Sequence, residues 1–81
     1  METPILPEQS RGARGLLDWT QADLAEAATL GLSTVKNFES DRRETTAANL
    51  NAIRRALEDA GIVFVHDGKF VGVKLIIKRA K

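Results

Sequence analysis

The stretch from Thr20 to Asp41, TQADLAEAATLGLSTVKNFESD, constrains this chain more than any other. Thr20 suits a helix N-cap, and Asp23 three residues on places an acidic group by the exposed amides and the positive helix end. One short helix is expected from about Gln21 to Ala28 and a second from about Leu32 to Ser40, joined by a tight turn. Leu24, Ala25 and Ala28 share a face of the first, and Val35 and Phe38 share a face of the second. Ala25 is small where two crossed helices need close approach.

Two helices in this arrangement make a helix-turn-helix, whose second helix can enter a DNA major groove. Gln21, Leu24, Ala25, Leu30, Val35, Phe38 and Glu39 together resemble the Cro/CI-type (XRE) helix-turn-helix domain of bacterial and phage regulators, and the resemblance runs from near helix one through Ala60. It implies a mainly α fold, a four-to-five-helix lambda-repressor-like bundle, here with a C-terminal β-hairpin or strand. The family usually has Gly where this chain has Thr29, because the turn residue tends to take φ > 0. A β-branched residue there costs on the order of 1 kcal/mol or more, so a distorted or locally strained turn is expected. Using Gly31 as the turn residue instead would put Asn37 and Ser40 where Val35 and Phe38 belong, and the apolar face would vanish. Near Asp41 the family commonly has Gly, but Asp tolerates left-handed geometry. The resemblance also implies an ion pair between Arg14 on helix one and Glu39. It gives Gln21 a phosphate contact and brings Arg42 and Arg43, in the loop DRRETT, beside the sugar-phosphate backbone.

With Val35 and Phe38 inward, Ser33, Lys36, Asn37 and Ser40 point outward, and Leu32 and Thr34 lie at the exposed helix start. Asn37 could hold adenine bidentately, and Lys36 could reach guanine or a phosphate. Leu32 stands where related proteins often place a polar base reader and can only touch a thymine methyl. Ser33 and Ser40 are within reach of base or phosphate contacts, or are simply solvated.

The 81 residues make one small domain. Such a domain buries about 60% of its unfolded surface, and small folds often gain stability by oligomerising. Without cysteine there are neither disulfides nor thiolate metal sites. No apolar run reaches the ~20 residues of a membrane span. METPILPEQ lacks the layout of a signal peptide. A soluble cytoplasmic protein with no membrane partner is expected. Net charge is only +1, but no acidic residue follows Asp67, while Lys69, Lys74, Lys78, Arg79 and Lys81 are basic. That run is either a solvated tail or an extra phosphate contact. Catalysis finds little support: His66 is the single histidine, at an expected hairpin end, and RGARG lacks the strand-loop-helix context of a phosphate loop. No enzyme activity, metal or cofactor is expected.

In chain order, residues 1–6 are expected as a loose arm, 7–60 as the DNA-binding domain, and 61–81 as a β segment with a basic tail. Pro7 and Glu8 suit a first helical turn. Helix one should run to about Asp18 with Ala13, Leu16 and Leu17 as its apolar side and Trp19 just beyond. Gly12 and Gly15 weaken it by roughly 1 kcal/mol each. Thr45 or Thr46 can cap a fourth helix, Ala47 to Ala60, whose Leu50, Ile53, Leu57 and Ala60 recur at helical spacing, with Arg54, Arg55, Glu58 and Asp59 facing water. Gly61 ends it. Two β-rich runs then flank Asp67-Gly68, a two-residue hairpin signal that pairs Val65 with Phe70 and Ile62 with Val73. In that register Lys74 to Ile77 overhang, and an apolar edge invites another chain. The expectation is a homodimer formed through 62–77, against the alternative that the hairpin folds back on its own bundle. The function that follows is a dimeric, sequence-specific DNA-binding repressor. The alternatives are an antitoxin-like module that binds DNA and a partner protein, and an interaction module without DNA binding.

Overall fold

A computed structural model describes residues 4–40 and 45–77. It contains α1 (Pro7–Leu17), α2 (Gln21–Ala28), α3 (Leu32–Glu39), α4 (Ala47–Asp59), β1 (Ile62–His66) and β2 (Val71–Leu75). The four helices and one antiparallel hairpin give the expected mainly α bundle. Asp41, Arg42, Arg43, Lys78, Arg79 and Lys81 lie outside the described residues, as do the first three residues of the expected arm.

Caps set the helix ends. The Thr20 hydroxyl accepts from the Asp23 amide at 3.0 Å while Asp23 Oδ2 accepts from the Thr20 amide at 2.9 Å, a reciprocal box. The Thr46 hydroxyl accepts from the Asn49 amide at 3.1 Å and starts α4. Leu24, Ala25, Val35, Phe38, Ile53, Ala56 and Leu57 are buried together, joined by Ala13 and Ile62. Leu17 and Leu50 are half-buried against this cluster. Ile5 joins the core at 4% exposure and Leu6 caps α1, so the end of the expected loose arm is anchored. Leu16 is not on the apolar side of α1; it is 46% exposed, because the turn of the helix that meets the core carries Ala13 and Leu17.

Between α2 and α3, Thr29 takes the left-handed conformation at φ 59°, ψ 46°. The Leu30 amide donates to the Ala25 carbonyl at 2.9 Å and the Thr29 amide to Glu26 at 3.1 Å. The turn thus keeps regular capping bonds, and the strain is confined to one β-branched residue at positive φ. Gly31, at φ −71°, is the N-cap of α3 and leaves the turn position to Thr29.

The hairpin departs from the expected register. Ile62 pairs with Leu75, Phe64 with Val73, Val65 with Gly72 and His66 with Val71, a slip of two residues. A two-residue type I′ turn needs φ > 0 at both central positions, and here only Gly68 (φ 88°) meets that, not Asp67. Instead Asp67 Oδ1 accepts from the amides of Lys69 at 3.1 Å and Phe70 at 2.8 Å, which gathers a longer loop. An even slip keeps every side chain on its face. It also draws Lys74 and Leu75 into the ladder, and the Ile76 amide reaches the Gly61 carbonyl at 2.8 Å, so little of β2 overhangs.

The hairpin packs against α1 and α4 of its own chain. Gln9 joins them: its Oε1 accepts from the Leu6 amide at 2.9 Å, and its Nε2 donates to the carbonyls of Val65 at 3.0 Å and Gly72 at 3.1 Å. Arg54 does not simply face water. Its guanidinium sits 5.0 Å from the Phe64 ring centroid and its Nε 3.1 Å from Glu58 Oε2, tying α4 to β1.

Thr29→Gly should relieve the left-handed strain and raise unfolding stability by about 1 kcal/mol, read as a higher urea midpoint at unchanged slope.

Candidate nucleic-acid interface

One side of α3 is interior. Val35 and Phe38 are buried beneath α2, and Glu39, the last residue of the helix, is 2% exposed. Leu32, Ser33, Lys36, Asn37 and Ser40 are exposed on the other side, and Thr34 is half-buried. Ser40 is the C-cap rather than a helical residue; its hydroxyl donates to the Asn37 carbonyl at 3.2 Å. Gly31 offers no side chain to the first amides of α3, so that helix start has no side-chain cap.

The buried end of α3 is held by one carboxylate. Arg14 Nη2 donates to Glu39 Oε1 at 2.7 Å, and Arg14 Nε to Oε2 at 2.9 Å, a two-pronged ion pair. Ser10 Oγ donates to Oε2 at 2.6 Å, and Gln21 Nε2 to Oε1 at 3.1 Å. Arg14 Nη1 also donates to the Trp19 carbonyl at 3.1 Å, and Arg11 Nη1 donates to the Glu39 backbone carbonyl. Glu39 therefore joins α1, α2 and α3 at one point.

Arg14, Glu39 and Gln21 come together here; the outward residues of α3 form a separate surface. Ser10, Arg11 and Gln9 escaped the sequence reading. Ser10 lies four residues before Arg14, and that spacing, which puts both on one face of α1, was the signal available for it. Arg11 and Gln9 look like ordinary surface residues of a first helix.

A family model for the helix-turn-helix matches residues 11–58, more than half of the chain. The chain belongs to the Cro/CI-type (XRE) helix-turn-helix family. No curated protein matches it. It is a DNA-binding helix-turn-helix regulator, with α2 and α3 as the two helices of the motif. The family is typically non-enzymatic. Among the described residues, no three His, Asp or Glu side chains gather as a metal site, and no helix is long and apolar enough to cross a membrane.

Burial alone would raise the Glu39 carboxyl, but hydrogen bonds from Arg14, Ser10 and Gln21 and the charge of Arg14 outweigh it and hold the group below its ordinary value of 4.5. A depressed carboxyl pKa means that the unfolded chain binds more protons. This contribution to stability is present above about pH 4.5 and is lost as pH falls through the lower folded value. Arg14→Ala leaves a buried charge unpaired and should cost about 3–5 kcal/mol at pH 7. The cost should shrink as pH falls and Glu39 becomes protonated. Urea melts of both proteins at pH 7 and pH 3 check this, and an equal loss at both would remove the ion pair from the account.

Proposed function

We propose that this helix-turn-helix protein is a sequence-specific transcriptional repressor that binds a pseudo-palindromic operator as a homodimer and acts by occupying the promoter. The observation that supports this best is the two-sidedness of α3: Val35, Phe38 and Glu39 are buried while Leu32, Ser33, Lys36 and Asn37 are exposed. In this reading Asn37 holds adenine, Lys36 reaches guanine or a phosphate, and Leu32 meets a thymine methyl. Ser33, Thr34 and Ser40 contact nearby phosphates or base edges. Gln21 and the start of α2 take a phosphate, and Arg42 and Arg43 a further one. The protein works by binding, in the cytoplasm, without a cofactor.

The second copy is assigned to the C-terminal segment, 62–77. Phe70 (66%), Ile77 (64%) and Ile76 (50%) are strongly exposed, beside Val63 and Val71. Apolar side chains of this size on a two-stranded sheet, which has two free edges, favour association. Such a dimer would set two copies of α3 about 34 Å apart, one turn of B-DNA. The same exposed side chains also fit a partner protein, the antitoxin-like alternative. A monomer by light scattering at micromolar concentration, co-purifying with a neighbouring gene product, would favour that alternative.

A band shift with the protein's own upstream DNA, at stated salt, is the deciding experiment. Asn37→Ala should weaken cognate binding by about 1–3 kcal/mol and relax sequence preference. Arg43→Ala should weaken binding to all sequences and flatten the salt dependence by about one unit of slope. Equal losses on cognate and random DNA for Asn37→Ala would contradict base reading, and no shift at all would leave the interaction module.

A further inference from the structure

Glu39 does more than close an ion pair. A carboxylate only accepts hydrogen bonds, so the amide face that Gln21 turns toward it must be the nitrogen. That fixes which way the Gln21 amide points. One N–H is spent on Glu39 Oε1 at 3.1 Å, and among the described residues the other N–H of the same planar group has no acceptor. Gln21 is half-buried and is the first residue of α2, where the backbone amides precede the first intrahelical bond, from Leu24 to Thr20.

The terminal torsion of a glutamate is soft. Here it is pinned from two sides. Arg14 spans both oxygens, and Ser10, fully buried on α1, holds Oε2 at 2.6 Å. Without Ser10, Oε2 keeps only Arg14 Nε, and the carboxylate gains freedom to tilt about its bond and shift Oε1 relative to Gln21.

We propose that Ser10 and Glu39 are positioning residues for DNA binding: Ser10 sets the rotation of the Glu39 carboxylate, which presents the free N–H of Gln21, beside the α2 amides, to a DNA phosphate. The inference rests on the DNA-binding reading above. Neither positioning residue is exposed, so neither contacts DNA directly, and the route proposed for both runs through Gln21.

A phosphate contact is independent of sequence, so the probe is a fluorescein-labelled mixed-sequence duplex of about 30 base pairs in about 50 mM salt. Affinity is read by anisotropy at a temperature where circular dichroism shows every variant folded. Ser10→Ala should weaken binding about threefold to tenfold, the range of one hydrogen bond. Gln21→Ala should weaken it at least as much, and adding Ser10→Ala to Gln21→Ala should change nothing further. A merely structural serine would not lose its effect in that background. Unchanged affinity for Ser10→Ala, or full additivity of the two substitutions, overturns the proposal while leaving DNA binding intact. Failure of the unsubstituted protein to bind the duplex overturns the DNA-binding reading itself. Should Ser10→Ala not fold, the side-chain amide of Gln21 in the unsubstituted protein decides by proton–nitrogen NMR. Two well-separated, slowly exchanging proton signals support the relay, and a near-degenerate, fast-exchanging pair overturns it.

Discussion

A glutamate at the end of α3 sits inside the protein, and the rest of the fold is arranged so that it can. An isolated carboxylate in such a place would give up several kcal/mol of hydration. Glu39 is stable there because α1 supplies Ser10 and Arg14 and α2 supplies Gln21, each at hydrogen-bond distance. The consequence is geometric. Apolar packing of Val35 and Phe38 fixes which face of α3 turns inward, but apolar contacts are non-directional and allow a short helix to slide or roll. A carboxylate held from two other helices does not. Its position at the C-terminal end of α3, next to Phe38 and with Val35 packed one turn back, sets both the roll and the axial position of the helix.

Much of this was legible in the sequence, for identifiable reasons. Helical spacing of Leu24, Val35, Phe38, Ile53 and Leu57 marks one face of each helix, and Thr20 and Thr46 mark their starts. The placing of the turn at Thr29 rather than Gly31 followed from keeping Val35 and Phe38 inward, and the backbone has Thr29 at φ 59° and Gly31 at φ −71°. Packing was strong enough to impose a left-handed residue on a β-branched side chain. The hairpin register was not legible, because it hung on whether Asp67 would use its backbone or its carboxylate to make the turn. Nor were Gln9, Ser10 and Arg11. A polar residue on a first helix reads as solvated unless its partner, distant in sequence, is already known: Ser10 lies 29 residues from Glu39, and Gln9 lies 56 from Val65.

Gln9 and Glu39 solve related problems at opposite sides of α1. Each is a buried polar side chain whose hydrogen bonds link α1 to another layer, Gln9 to the hairpin and Glu39 to the motif. α1 is therefore the element through which the C-terminal hairpin and the helix-turn-helix are held in one frame. Gly12 lies beside that frame: a Cβ there would meet Val73 Cγ2 at 3.4 Å, an ordinary van der Waals contact. A dimer formed through 62–77 would transmit its spacing to α3 by this same route, from hairpin to Gln9 to Ser10 and Arg14 to Glu39.

The division of labour within α3 follows. Its inward residues are tied to α1 and α2, so changing any of them alters where the helix sits. Its outward residues, Ser33, Lys36 and Asn37, are exposed and contribute little to packing, so they can differ without disturbing the frame. A net charge of +1 is compatible with this, because affinity for DNA depends on which charges the frame turns toward the duplex and not on their sum. In the proposed reading, specificity belongs to a few exposed side chains of α3, and their placement rests on a carboxylate buried beneath them.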